Sequence, residues 1–266
     1  MNYLAVVSAK GGVGKTTFTA SLAGALARER NVACVDLDPQ NALRLHLGVS
    51  PGEIDGVARC SLEHRPWQDA LFHGAMETGV LPFGEINESD RDAFEAQLAQ
   101  DPGWLARGLS TLGLAAEDLV IFDTPPGPSL YLQQALRTAT HAIVVLQPDA
   151  ASYATIPHME HLLQKYCGER DGFQGAVYLL NNVDSSRSLS TDVVGVVRAQ
   201  LGDRLVPMVV HHDEAVREAL AYDQLVLEYD PHCEASHDIA EIARWVLRWM
   251  TPAATQRRGF GFLGRK

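Results

Sequence analysis

The stretch Ala9-Lys10-Gly11-Gly12-Val13-Gly14-Lys15-Thr16-Thr17 limits what this chain can fold into more than any other. It follows an apolar run at residues 3–7 that reads as a strand, and it leads into helical sequence at residues 16–29. Strand, glycine-rich turn and helix, in that order, is the setting in which such a motif becomes a phosphate loop. Glycines let the backbone curl so that successive N–H groups converge on phosphate oxygens. The helix that starts near Lys15 adds its positive dipole end. Gly11, Gly12, Val13, Gly14, Lys15, Thr16 and Thr17 are therefore the expected phosphate cradle. Lys15 would reach the β and γ phosphates, and the Thr16 hydroxyl would ligate Mg²⁺.

The rest of the chain repeats the alternation. Residues 32–35, 119–122, 142–146, 177–180 and 205–210 are short, β-rich and nearly free of polar groups, as strands buried on both faces are. Helical stretches at residues 129–138, 153–166, 191–201 and 235–250 lie between or after them, as parallel crossovers require. The expected fold is α/β: a doubly wound, mostly parallel sheet with helices on both faces. Residues 48–116 fit poorly, offering one convincing strand at 78–81 and a helix at 88–100, and read as an elaboration on the core. Pro252 stops the last helix, so residues 1–250 read as one domain and 251–266 as a basic and aromatic tail.

Composition excludes several function classes. No run approaches the roughly 18 to 20 uncharged apolar residues that cross a bilayer, and the N-terminus lacks a basic flank or small-residue cleavage site. The expectation is a cytoplasmic protein. Cys34, Cys60, Cys167 and Cys233 are scattered without a C-x-x-C pair, so structural thiols are expected rather than a zinc site or disulfide framework. A net charge of −11, with no Lys/Arg cluster in the body of the chain, argues against nonspecific DNA binding, which needs clustered cations.

The loop departs from the ordinary G-x-x-x-x-G-K-[ST] form, because Ala9 replaces the first glycine and a second lysine, Lys10, follows it. K-G-G-x-G-K-T-[ST] resembles the deviant Walker A motif of ParA/MinD ATPases. That resemblance implies that Lys10 reaches across a nucleotide-sandwich homodimer to the partner's phosphates, so that ATP binding and dimerisation are one event. Phosphoryl transfer also needs a carboxylate for the metal shell and a group that holds water, both at carboxyl ends of parallel strands. Asp36-Leu37-Asp38-Pro39-Gln40 looks like the family's first switch, which implies that Asp38 orients water and that Asp36 supports the metal. Asp123-Thr124-Pro125-Pro126-Gly127 looks like its second, with Asp123 holding Mg²⁺ through water and the Gly127 N–H offered to the γ phosphate.

Asn181-Asn182-Val183-Asp184 ends another strand, where such folds hold the base. The spacing mimics the guanine-reading N-K-x-D with Asn182 in place of lysine, so GTP is an alternative. An asparagine amide pairs equally with adenine N6 and N7, and the other motifs resemble ATP users.

Residues 41–49, 147–155, 179–192 and 213–220 further resemble the cellulose-biosynthesis branch of this family, BcsQ or YhjQ. This implies a slow, partner-stimulated ATPase that helps assemble, localise or regulate a cellulose synthase and secretion complex at the inner membrane. Three rivals stand beside it: a partition ATPase on DNA, a membrane-cycling ATPase, and a module that binds nucleotide without turnover. The membrane reading rests on the tail Gln256-Arg257-Arg258-Gly259-Phe260-Gly261-Phe262-Leu263-Gly264-Arg265-Lys266. Its two Phe and one Leu could contribute about 5 kcal/mol at a lipid surface, although ordering the chain offsets much of that. His211-His212-Asp213 lacks a third nearby ligand and reads as a loop near the base rather than a metal site. Trp245 and Trp249, four apart on the last helix, read as core or interface.

Overall fold

The computed structural model describes residues 1–251 apart from Glu169, so all but the first residue of the tail lies outside the described residues. Among the described residues eight strands form one sheet: β1 (Asn2–Val7), β2 (Val32–Asp36), β3 (Phe72–His73), β4 (Gly79–Leu81), β5 (Leu119–Asp123), β6 (His141–Leu146), β7 (Gly175–Val183) and β8 (Val210–His211). Their order is β3-β4-β2-β5-β1-β6-β7-β8. Every pairing is parallel except β3 with β4.

The near-continuous apolar runs follow from burial on both faces. Along β1, Leu4 and Val6 face one core while Ala5 and Val7 face the other, and β5 divides Leu119 and Ile121 from Val120 and Phe122 in the same way. One core lies under helices Glu88–Gln100, Trp104–Ser110, Leu130–Thr138 and Ile156–Cys167. The other lies under helices Lys15–Ala27 and Glu234–Met250. The last helix buries Ile239, Ile242, Val246 and Met250, the helical spacing of a single apolar stripe. Trp245 and Trp249 stack at its flank, 5.6 Å between centroids, and Trp249 meets the ring of His141 edge-on. The doubly wound expectation is met.

Three details differ from the sequence reading. The strand expected at 205–210 is interrupted. Leu205 makes an isolated bridge to Tyr178, Val206 donates to the Tyr178 carbonyl at 2.8 Å, and pairing resumes only at Val210. Pro207 has no N–H to continue the ladder. The helix expected at 153–166 is broken into Ala150–Ala154 and Ile156–Cys167, with Pro157 in the first turn of the second piece, where its missing donor costs nothing. Finally, residues 48–116 belong to the sheet rather than decorating it. They supply β4, which pairs with β2, and the edge strand β3, too short to show any periodicity. Helix Val57–Leu62 anchors the insertion through Ser61, whose hydroxyl accepts the indole N–H groups of Trp67 at 3.2 Å and Trp104 at 3.0 Å.

Candidate nucleotide-binding site

The carboxyl ends of β1, β2, β5, β6 and β7 converge on the loop between β1 and helix Lys15–Ala27. Gly12 and Gly14 sit in the left-handed region at φ 75° and 79°, which glycine alone adopts freely. Gly14 is the helix N-cap and supplies no side chain to bond the first-turn amides. Those N–H groups are left for a ligand, as an anion-binding helix terminus requires. The loop is braced from outside: Asn181 Nδ2 donates to the Val13 carbonyl at 2.8 Å, and Gln147 Nε2 donates to that of Gly12 at 3.1 Å.

Beneath the loop, Lys15 Nζ lies 2.8 Å from Asp123 Oδ1, and the pair is 6% and 1% exposed. Thr16 Oγ1 donates to Asp123 Oδ2 at 2.6 Å, and Thr19 Oγ1 lies 3.2 Å from Oδ1. A hydroxyl and a carboxylate in contact at the root of an amide-lined loop suit a hard divalent cation, which takes oxygen ligands. An ammonium group beside them suits a phosphate chain. The residues present therefore fit a magnesium-bound nucleotide.

The two aspartates after β2 play unlike parts. Asp36 is fully buried and spends both oxygens on backbone donors, Asp38 N–H at 2.9 Å and Leu43 N–H at 3.1 Å. Burial first, and then the neighbouring Asp123, push its pKa well above the usual carboxylate range. Asp38 accepts the Gln40 N–H at 3.0 Å through Oδ1. Burial raises its pKa too, although Lys15 pulls the other way.

Lys10 turns away from the cradle and pairs with Asp149 at 2.9 Å, both side chains 38% exposed. Asp149 also caps the helix Ala150–Ala154 by accepting the Ser152 N–H at 2.6 Å. Burial works to raise its pKa, but the Ser152 amide and Lys10 outweigh that and hold it below the usual range. The Gly127 N–H donates to the Ser8 carbonyl at 2.8 Å, so this loop must turn before that donor can meet a phosphate.

A pocket of about 230 Å³ opens beside the loop, lined by Gly12, Val13, Gly14, Thr17, Asn181, Asn182, His211 and His212 among others. Asn182 stands at φ 61°, with Oδ1 2.8 Å from His212 Nδ1. His211 is held by Asp238 at 2.9 Å, and among the described residues no group of three or more metal-ligating side chains gathers anywhere. The structure thus brings Lys15, Thr16, Asp123, Asp36 and Asp38 together, with Asn181 bracing the loop and Asn182 at the pocket wall. The sequence reading missed Gln147, Asp149 and Asn41, the last described below. The signals for them were their places after strands β6 and β2 and the family resemblance of residues 41–49 and 147–155, neither of which assigns them a contact.

An open parallel sheet that carries a glycine loop and its acidic strand ends to one edge is the architecture of P-loop nucleoside triphosphatases, and the second lysine sets this one in the ParA/MinD class. The family model for cellulose biosynthesis protein BcsQ matches residues 1–247. The chain belongs to that family. Cellulose biosynthesis protein BcsQ of Escherichia coli strain K12 is 29% identical over 252 residues, 93% of this chain and 94% of the relative. Among solved structures, cobyrinic acid a,c-diamide synthase of Mycobacterium smegmatis, bound to an ATP analogue and magnesium, superposes with TM-score 0.76 at 25% identity, over 93% of this chain and 95% of that one. The septum site-determining protein MinD of Pyrococcus horikoshii, complexed with Mg-ADP, shares the fold at TM-score 0.74 and 24% identity, over 92% of this chain and 95% of its own.

Proposed function

We propose that this chain is a MgATP-dependent, homodimerising switch ATPase that serves a cellulose synthase and secretion complex. The observation that carries the reading is the buried Lys15–Asp123 pair, joined by the Thr16 hydroxyl, beneath a glycine loop whose helix start has no side-chain cap. A buried ion pair is costly to hold and costly to break. Here it keeps a cation and two metal-compatible oxygens poised where a triphosphate would exchange with them. Thr16 and Asp123 would hold Mg²⁺, which offsets charge on the phosphate chain.

Lys15 trades a carboxylate for phosphate oxygens. Asp38 holds the attacking water and takes up its proton, a task that requires the ionised carboxylate and makes nearby Lys15 a useful opponent of burial. Lys10 leaves Asp149 and reaches the second protomer's phosphates; it is exposed enough to do so. Asn182 and the neighbouring pocket take the base. Adenine is the reading favoured by the ATP analogue in the superposed synthase.

Family membership supports the cellulose setting, with components of that machinery as partners, and catalysis of glucan synthesis is no part of the reading. Among the described residues no helix is long and apolar enough to cross a membrane. Work at the cytoplasmic face of the inner membrane is therefore proposed as peripheral. Size-exclusion chromatography with ADP, with ATP and with Lys10→Ala tests the switch: wild type should dimerise only with ATP, and the variant should not. A nucleotide-independent elution volume would sink it. Phosphate release from wild type set against Asp38→Ala tests turnover; equal rates would leave a nucleotide-binding module.

A further inference from the structure

The turn that carries Asp38 is tied to the inserted segment by a side chain with no role so far. Asn41 is 6% exposed and stands in the left-handed region at φ 52°. Its N–H donates to the Asp38 carbonyl at 2.8 Å, and its Oδ1 accepts the Phe83 N–H at 3.0 Å. Its Nδ2 is buried with no hydrogen-bond partner. A strained backbone and an unpaired buried donor persist only where the surroundings over-determine them.

The anchor on the far side is rigid. Phe83 is 1% exposed and lies edge-on to Phe94 and Tyr131. Its carbonyl accepts the Ala58 N–H at 3.0 Å. A second clamp runs parallel to the first: Arg44 donates to the Glu53 carbonyl at 2.6 Å and to Glu85 Oε1 at 3.0 Å. Asp36 holds the same turn from beneath through the amides of Asp38 and Leu43. Asp38 thus hangs between a floor made by β2 and a wall made by the insertion.

We propose that Asn41 is a positioning residue for Asp38, fixing the switch turn to the insertion so that the carboxylate is set before water arrives. This rests on the reading that Asp38 orients the attacking water. Among the described residues the Asp38 carboxylate accepts only the Gln40 N–H, on one oxygen, so its direction depends on where the backbone is held. The bond from the Phe83 N–H to Asn41 Oδ1 links the inserted segment to the turn directly, and the Arg44–Glu85 contact runs beside it.

Asn41→Gly tests this, because glycine keeps the left-handed backbone while removing the bond to Phe83 along with the buried amide group that makes it. With MgATP, kcat should fall about tenfold or more while KM stays within roughly threefold, since misplacing a reacting group by about an ångström costs rate rather than binding. Hydrogen exchange on nucleotide-free protein supplies a readout independent of turnover, and the Phe83 amide should lose protection in the variant. A variant that turns over like the wild type, or one whose Phe83 amide stays equally protected, would overturn the proposal. Asp38→Ala separates the two levels of inference. If it hydrolyses at the wild-type rate, the underlying reading fails and this proposal with it. A slow Asp38→Ala beside a fast Asn41→Gly overturns this proposal alone.

Discussion

Replacing His141 with glutamine tests how dry the amino end of the sheet is. His141 opens β6, is 2% exposed, shares a hydrogen bond of 3.0 Å between Nδ1 and Thr140 Oγ1, and lies 4.6 Å from the Trp249 ring. Burial lowers its pKa from 6.5 to about 4. The native state therefore keeps the imidazole neutral, while the unfolded chain protonates it below pH 6.5. Because the folded value is the lower one, the stability it contributes is complete above pH 6.5 and drains away as the pH falls toward 4. At about 1.4 kcal/mol per pH unit the full loss is ~3 kcal/mol, of which about 2 has gone by pH 5. Urea unfolding at pH 7 and pH 5 would measure it. Wild type should lose about 2 kcal/mol more than His141→Gln over that interval, since groups common to both proteins cancel in the difference. His46, whose pKa burial also lowers, and Asp36, which works in the opposite sense, are such groups. Parallel pH dependences in the two proteins would mean that water reaches the ring and that the argument from burial is wrong.

Three other substitutions probe the site and its support. Lys15→Met leaves Asp123 buried without its cation and should destabilise the nucleotide-free protein by about 3 kcal/mol, the lower end for a broken buried pair because Thr16 still donates to it; the urea midpoint checks it. Gly14→Ala should cost about 1 to 2 kcal/mol for its left-handed backbone alone, and its methyl would stand 2.5 Å from Asn181 Nδ2. Adding Asn181→Ala should recover the clash and not the backbone term, read by thermal unfolding with and without MgATP. Gly56→Ala would press a methyl into the backbone of Pro82, Phe83 and Gly84, none of which can swing aside. Overpacking of this kind costs about 1 to 3 kcal/mol, and a calorimetric scan showing an unchanged melting temperature would contradict it.

Much of this molecule was legible in the residues, and what escaped did so for a common reason. Motifs that depend on neighbours in the chain were readable, such as the loop with its two lysines and the buried strands that end in Asp36 and Asp123. Contacts made across the fold left no local trace. The sequence puts Asn181 where the base is held, and nothing in it shows that the amide nitrogen donates to the Val13 carbonyl, 168 positions away. Asn41 meets Phe83 across 42 positions and through a backbone amide, which any sequence could supply. The pair Asp36 and Asp38 sharpens the point. Two carboxylates two residues apart on an extended stretch share a face, and spacing alone does not tell them apart. Their partners do. Asp36 is fully buried with each oxygen accepting a backbone N–H, whereas Asp38 stays 8% exposed with one oxygen bonded to Gln40. On the proposed reading the chemistry falls to Asp38, and Asp36 contributes by fixing where that residue stands, through the Asp38 and Leu43 amides.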